Sequence, residues 1–246
     1  MVFLSKSSLS TYLVCPRLYK FIYVDKIPLG VKSPEAQRGL DVHTFCEMFY
    51  DNVTVTGSAF YVNPTWLDEQ LLMASPNALP FIENFLKMEK ERWKVCVEHS
   101  PKDPGKYFYP VLKEQKIQNL GLEITGIVDR VDLNFDNKTY TVIDYKTEKF
   151  DQRPWKLTEH RREMCFYKML LESSGLLNGD VTHFCIYYPR SNNVWCEQFS
   201  WRSINALNKK MEEVREGIIA GRFPCVVTLY CRYCEANMIC PMESET

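Results

Sequence analysis

Two aspartates and a lysine in the middle of the chain form the pattern with the clearest chemical meaning. Asp129 lies in the segment GIVDRVD, and Asp144 and Lys146 lie in VIDYKT. Side chains two residues apart on a strand share a face, so Asp144 and Lys146 are expected to be neighbours. If the two segments pair as a hairpin, Asp129 and Asp144 converge at one sheet edge. Adjacent carboxylates repel each other unless a cation joins them, and Mg²⁺ or Mn²⁺ suits such oxygen ligands.

A lysine beside a bound metal ion can orient a water molecule or stabilise charge on a phosphate group. Glu114 precedes Asp129 by one predicted strand and could add a further carboxylate. The competing interpretation is a surface hairpin with solvated charges, because an Asp-x-Lys triplet is common. The Gly126-x-x-Asp129 segment one hairpin upstream favours the metal site.

Four cysteines at the two ends of the chain form a second pattern. Cys15 precedes a proline, and the other three follow as C-x2-C-x5-C at Cys231, Cys234 and Cys240. Four thiolates can hold a zinc ion or a [4Fe–4S] cluster, and spacing alone does not separate the two. Core packing is the expected role of the other cysteines, although Cys225 is also a substitute ligand. These remaining cysteines are Cys46, Cys96, Cys165, Cys185, Cys196 and Cys225.

The composition fits a globular protein with a full core. The chain has 246 residues, of which 46% are hydrophobic and 25% are charged. It contains no apolar run of the roughly 18 residues needed to span a membrane, and its N-terminus lacks a signal-peptide pattern. Ten cysteines without a secretory signal favour a reducing compartment, so we expect a cytoplasmic location without membrane contact.

Any contact with nucleic acid must come from a local patch, because the formal net charge is only −1. Residues 146–162 interleave lysine and arginine with Phe150 and Trp155. Cations can contact phosphates while an aromatic ring stacks on a base, which makes Trp155 a candidate DNA-binding residue. An exposed loop with ordinary charges is the competing interpretation.

The order of the predicted elements indicates a mixed α/β sheet flanked by helices. Ser7 or Ser8 is expected to cap a first helix that contains Cys15, and a second helix carries His43. Hydrophobic periodicity then predicts three strands, a helix, two more strands and a last helix. The predicted ranges are helices to residue 23, 34–50 and 78–97, strands 107–118, 122–135 and 139–146, helix 158–173, strands 181–188 and 194–199, and helix 202–220.

These segments resemble the RecB-like branch of the PD-(D/E)xK nucleases. GIVDRVD and VIDYKT are similar to that family's second and third motifs, RGLDVHTFCE to its first, and HRREMCFYKMLL to its helix motif. LSTYLVCPRLYKFIYV and CRYCEANMIC resemble the iron–sulfur subgroup, which includes CRISPR-associated RecB-like exonucleases and the AddB helicase–nuclease subunit. The resemblance implies a restriction-endonuclease-like fold whose N- and C-terminal ends are clasped by a four-cysteine metal centre.

The resemblance also implies roles for individual residues. His43, Asp129 and Asp144 would bind Mg²⁺ or Mn²⁺, and Lys146 would act on the attacking water. The four terminal cysteines would hold a [4Fe–4S] cluster. Tyr167 would contact DNA from the helix motif, where Glu163 replaces the family's usual glutamine and puts the helix's DNA-contacting role in question.

Together these features predict one nuclease domain over residues 1–246, with 1–30 and 222–246 as an iron–sulfur lobe and 52–106 as a variable helical insertion. The predicted function is a deoxyribonuclease, acting as an exonuclease on single-stranded DNA ends in CRISPR spacer acquisition or DNA repair. DNA, CRISPR integrase proteins and further copies of the chain are the candidate partners. The alternative is a non-catalytic iron–sulfur or zinc subunit that binds DNA ends, against which the intact Asp129, Asp144 and Lys146 argue.

Overall fold

A computed structural model describes residues 2–29 and 34–240 of the protein, which divide into two compact units. The terminal unit takes its residues from the ranges 1–31, 118–126 and 200–246. The central unit takes its residues from 32–117 and 127–199. The candidate metal site lies in the central unit, whereas the cysteines of the second sequence pattern lie in the terminal unit.

Seven strands form two sheets in the part of the chain that the structure describes. They are β1 Val53–Thr56, β2 Ala59–Val62, β3 Leu112–Asn119, β4 Ile124–Leu133, β5 Tyr140–Tyr145, β6 Val181–Tyr188 and β7 Asn193–Gln198. The first two form a small antiparallel hairpin, and the other five form a sheet in the order β3-β4-β5-β6-β7. Since β5 and β6 are parallel while β4–β5 and β6–β7 are antiparallel, the sheet is mixed, as predicted.

Eight α-helices accompany the strands in the described residues. They are α1 Lys6–Val14, α2 Pro16–Tyr19, α3 Pro34–Phe49, α4 Pro64–Met73, α5 Leu79–His99, α6 Gly105–Phe108, α7 Pro154–Glu172 and α8 Trp201–Ile219. A short π-helix, Lys20–Val24, and a 3₁₀ helix, Leu229–Tyr233, complete the helical segments. None of the helices in 2–29 and 34–240 is long and apolar enough to cross a membrane. The range 52–106, predicted as a helical insertion, contains the β1–β2 hairpin besides α4, α5 and α6.

The β4–β5 hairpin brings the two aspartate segments together. Asp136 accepts hydrogen bonds from the backbone N–H groups of Lys138 and Thr139, and Asn137 has the positive φ (61°) that such tight turns use. The register pairs Arg130 with Ile143, the residues that follow Asp129 and precede Asp144 on the two strands. The predicted hairpin at 134–138 is therefore confirmed, with the two carboxylates on neighbouring strands.

Helix α5 covers the aromatic core of the central unit. Its buried side chains recur every three or four residues, as in an amphipathic helix. Phe85 contacts Phe45 and Phe49 of α3 in edge-to-face geometry, with ring centroids 6.0 and 5.1 Å apart. Glu89 lies within the same buried stripe although it is charged. A carboxylate in this position requires partners, which Arg92 and Arg130 provide.

The first helix differs from the prediction. Ser5, and not Ser7 or Ser8, caps α1 in a capping box with Ser8. The helix ends before Cys15, which is extended (φ −157°, ψ 109°), and α2 begins at Pro16. A residue that precedes proline is disfavoured in the helical region, so Pro16 breaks the helix and places Cys15 at the break.

Two cysteines expected in the core form a disulfide instead. Cys46, Cys96 and Cys165 are buried free thiols, as predicted. Cys185 and Cys196, however, are bonded to each other across β6 and β7. The antiparallel register sets these two residues directly opposite, which brings their sulfurs together. The sequence could not predict this pairing without the register.

Candidate active site

Three side chains from three elements of the central unit converge on one point. His43 of α3, Glu114 of β3 and Asp129 of β4 each offer a ligand atom, and these atoms all lie within 4.8 Å of one another. His43 Nδ1 is 3.4 Å from Asp129 Oδ2 and 3.8 Å from Glu114 Oε1. One imidazole nitrogen and two carboxylates are suitable ligands for a divalent ion such as Mn²⁺.

Tyr145 fixes the orientation of two of these ligands through its backbone. Its carbonyl oxygen lies 3.0 Å from His43 Nε2, and its N–H donates to Asp129 Oδ2 over 3.0 Å. A carbonyl oxygen only accepts hydrogen bonds, so Nε2 carries the hydrogen. In the neutral imidazole the lone pair is then on Nδ1, which faces the two carboxylates. Metal-binding histidines commonly use such a contact to a backbone carbonyl.

Glu114 reaches the site because the backbone of β3 departs from strand geometry. Its φ is 41°, in the left-handed region that residues with a side chain rarely adopt. Such a conformation costs of order 1–3 kcal/mol and is concentrated at functional sites. The side chain that this conformation orients is one of the three that converge.

Asp144 and Lys146 lie beside this cluster and form a second group. Asp144 is 1% exposed, and its Oδ2 lies 2.9 Å from Lys146 Nζ. The same Nζ lies 3.0 Å from Oε2 of Glu163 on α7. The predicted proximity of Asp144 and Lys146 is thus present, and Glu163 is a further partner that the sequence did not indicate. Asp144 is not among the three ligand atoms within 4.8 Å, although its charge affects His43.

The carboxylates change the protonation of His43. Burial favours the neutral imidazole, but the hydrogen bond to Glu114 and the charges of Asp129, Asp144 and Glu114 outweigh it. They raise the pKa of His43 from 6.5 to about 8. Without a metal ion, the protonated imidazole supplies positive charge at the site near neutral pH. A metal ion at Nδ1 must displace this proton, so proton and metal compete.

The three predicted DNA-binding residues lie in different environments. Trp155 is 58% exposed, and the Arg153 guanidinium lies 4.7 Å from its ring centroid. Tyr167 is only 2% exposed, so its ring is not accessible for contact with DNA in this structure. Burial, with the charges of Asp144 and Asp129, raises the pKa of Tyr167 well above its ordinary value. Glu163 contacts Lys146, and its Oε2 lies 3.7 Å from His160 Nδ1.

Five cysteines of the terminal unit line one pocket. They are Cys15, Cys225, Cys231, Cys234 and Cys240. The four predicted ligands are therefore brought together from both ends of the chain, with Cys225 as a fifth thiol whose Sγ is 3.8 Å from Cys240 Sγ. Burial, the hydrogen bond with Cys240 and nearby thiols raise the pKa of Cys225 to about 11. The pocket has enough thiols for either zinc or a [4Fe–4S] cluster.

The sequence did not indicate the buried charged residues that lie on the core side of the site. Arg130 is next to Asp129 but is 1% exposed and contacts Glu89 of α5. The available signal was an arginine in the strand segment from Val128 to Asp132, which mixes valines with charged residues. Such a residue needs a buried acidic partner. The sequence does not show which distant carboxylate provides it.

Comparison with known proteins gives one family. The sequence model described as the PD-(D/E)XK nuclease superfamily matches residues 4–241. No curated protein matches the sequence.

Several solved structures, including the following two, are similar to this chain. A protein of Eubacterium rectale named "Putative exonuclease" is 9% identical, with 94% of this chain and 87% of that chain covered and a TM-score of 0.49. The protein SSO0001 is 14% identical, with 97% and 85% covered and a TM-score of 0.41. Since both TM-scores are below 0.5, the family assignment depends on the sequence match.

We predict that the backbone strain at Glu114 can be relieved by glycine. In the metal-free protein, Glu114→Gly should have a free energy of unfolding about 1 kcal/mol higher than Glu114→Ala, because both lose the carboxylate and only glycine adopts positive φ freely. At the next position of the same strand the order should reverse, with Gln115→Gly about 0.5–1 kcal/mol less stable than Gln115→Ala. Urea denaturation with chelator present measures all four variants. A lower free energy of unfolding for glycine at both positions would contradict the strain.

We also predict the titration of His43. In the metal-free protein its ring should titrate at about pH 8, as followed by NMR of the imidazole nitrogens. Glu114→Gln should lower this midpoint, whereas Glu172→Gln, an exposed glutamate of α7, should not. Because the folded pKa is raised, the stabilisation from protonated His43 is complete below about pH 6.5 and is lost as pH rises through about 8. A wild-type midpoint at or below 6.5 would show that the carboxylates do not outweigh the effect of burial on His43.

Proposed function

Since the chain belongs to the PD-(D/E)XK nuclease superfamily, whose members are metal-dependent phosphodiesterases, we propose that it is a divalent-metal-dependent deoxyribonuclease. The observation that carries this proposal is the convergence of His43, Glu114 and Asp129 beside the Asp144–Lys146 pair. The nitrogen and oxygen donors fit Mn²⁺ or Mg²⁺. Asp144 would complete the ligand set when the ion draws the carboxylates together.

A bound divalent ion supplies positive charge beside the scissile phosphate and lowers the pKa of the attacking water. The side chains of this protein provide the rest of the site. Asp144 and Glu163 hold the Lys146 amine from two sides, so that it can orient the water or stabilise the phosphate charge. The Tyr145 carbonyl keeps the Nε2 hydrogen of His43 in place, which leaves Nδ1 directed at the ion.

We propose single-stranded DNA ends as the substrate. Trp155 at the start of α7 is largely exposed, and Arg153 lies over its ring. An exposed indole beside a cation suits a base that is free to stack while its phosphate contacts the guanidinium. Exonuclease action on such ends would suit DNA repair or CRISPR spacer acquisition, the two settings that the sequence resemblance implies.

We further propose that the cysteine pocket holds a structural [4Fe–4S] cluster through Cys15, Cys231, Cys234 and Cys240. The pocket gathers these four thiols from both ends of the chain, and they are the set that the resemblance to the iron–sulfur subgroup implies.

The nuclease assignment predicts loss of cleavage without loss of fold. Asp129→Asn, Asp144→Asn and Lys146→Ala should each lower Mn²⁺-dependent cleavage of a 5′- or 3′-labelled single strand by at least about 10²-fold, the range of a lost charge-stabilising group. The matched control is Asp136→Asn in the exposed β4–β5 turn, which should cleave at the wild-type rate.

Circular dichroism and iron content should stay unchanged in all four variants. Full activity of Asp144→Asn would refute the site assignment. Duplex, hairpin and circular substrates in the same assay separate action at ends from internal cleavage.

The cluster assignment predicts a spectroscopic loss. Cys234→Ala combined with Cys225→Ala, which removes the substitute thiol, leaves three ligands. Anaerobically purified protein should then lose iron, sulfide and the broad absorption at about 400 nm, and its thermal unfolding temperature should fall. Cys96→Ala, at a buried free thiol of α5, should keep the iron and the colour. Stoichiometric zinc without iron in the wild-type protein would exclude the cluster but not the nuclease.

A further inference from the structure

A group of buried charges lies behind the candidate metal site in the central unit. Arg130 and Glu89 are 1% and 0% exposed. Arg130 Nη1 donates to Glu89 Oε1 over 2.8 Å, and its Nε donates to Asp132 Oδ1 over 2.7 Å. Arg92 Nε donates to the other oxygen of Glu89 over 2.8 Å. Two guanidinium groups and two carboxylates therefore neutralise each other inside the core.

The carboxylate of Glu89 is ionised in the folded protein. Burial alone would oppose the charge of Glu89, but Arg130 and Arg92 outweigh it and lower the pKa of Glu89 below its ordinary value. Burying such a group is expensive, and apolar side chains of similar volume often stabilise a core equally well or better. The charged group is thus better explained by what it orients than by the stability it provides.

Tyr145 connects the buried charges to the metal ligands. Its hydroxyl oxygen accepts a hydrogen bond of 3.2 Å from Arg130 Nη1, which also donates to the hydroxyl of Tyr50. The backbone of Tyr145 contacts both His43 and Asp129. One residue is therefore held by Arg130 through its side chain and holds two candidate ligands through its main chain. Glu89 fixes Arg130 from α5.

We propose that Glu89, Arg130 and Tyr145 are positioning residues that set the geometry, and hence the metal affinity, of the nuclease site. This inference rests on the proposed function, because it assigns a purpose to the same ligands. It also gives α5 a part in metal binding, although this helix lies in the range 52–106 that was predicted as a variable insertion.

Tyr145→Phe is the sharpest test, because it removes only the hydroxyl and leaves the ring and both backbone contacts. Arg130→Met would leave Glu89 buried with Arg92 as its remaining cationic partner and could prevent folding. The matched control is Tyr187→Phe, whose ring centroid lies 5.7 Å from the Arg130 guanidinium and so belongs to the same cluster. Mn²⁺ binding is measured without DNA, from the signal of free Mn²⁺ in electron paramagnetic resonance.

We expect Tyr145→Phe to bind Mn²⁺ about tenfold more weakly than the wild type, as for loss of other outer contacts of metal ligands. The Mn²⁺ concentration for half-maximal cleavage should rise by the same factor, while the rate at saturating Mn²⁺ stays within about threefold. Tyr187→Phe should bind like the wild type. Thermal unfolding of both metal-free variants shows whether a loss of stability accompanies the change.

Wild-type affinity in Tyr145→Phe, or an equal loss in Tyr187→Phe, would overturn the positioning role. A wild-type protein that binds Mn²⁺ but cleaves no DNA would instead overturn the proposed nuclease function, and the binding comparison would still decide the role of Tyr145.

Discussion

Repulsion among three carboxylates is the constraint on which the central unit depends. Glu114, Asp129 and Asp144 come from neighbouring strands of one sheet, and His43 is affected by the charge of all three. Like charges at this separation destabilise the fold unless positive charge lies among them. His43 and Lys146 supply it in the metal-free protein. The segments that carry His43 and Lys146 must therefore lie next to the carboxylates, and the same negative charge makes this cluster a suitable metal site.

This requirement explains why the site is built from so many elements. The hairpin β4–β5 supplies two aspartates, α3 supplies the histidine, and α7 supplies Glu163 as a second partner of Lys146. Four carboxylates, including Glu163, face the two cations His43 and Lys146, so the site keeps an excess of negative charge that a divalent ion would offset. Behind them, the buried charges of Arg130 and Glu89 compensate each other in the core.

The sequence was sufficient to predict features that depend on residues close together along the chain. Asp144 and Lys146 are neighbours because side chains two residues apart on a strand share a face. The turn residues Asp136 and Asn137 predict the hairpin. The order of helices and strands followed from periodicity for the same reason. Family resemblance, and not local pattern, singled out His43.

Contacts between distant segments could not be read in this way. The sequence could identify Glu114 only as a candidate carboxylate. Its backbone leaves the strand conformation, and no local pattern around it indicates a positive φ. The pairing of Arg130 with Glu89 joins residues 41 positions apart and depends on how α5 packs. The Cys185–Cys196 bond depends on the β6–β7 register. Tyr167 carries a family signature but is buried, which only packing reveals.

The division of the chain between the two units also sets an order of assembly during protein synthesis. The central unit takes all its residues from positions up to 199, whereas the terminal unit needs both the first residues and those from 200 onward. On the ribosome, the residues of the metal site can therefore fold before the last cysteines are made. The pocket that gathers Cys15 and Cys240 can close only after Cys240 has left the exit tunnel. Assembly of the cysteine pocket therefore follows synthesis of the whole central unit, whichever group the thiols bind.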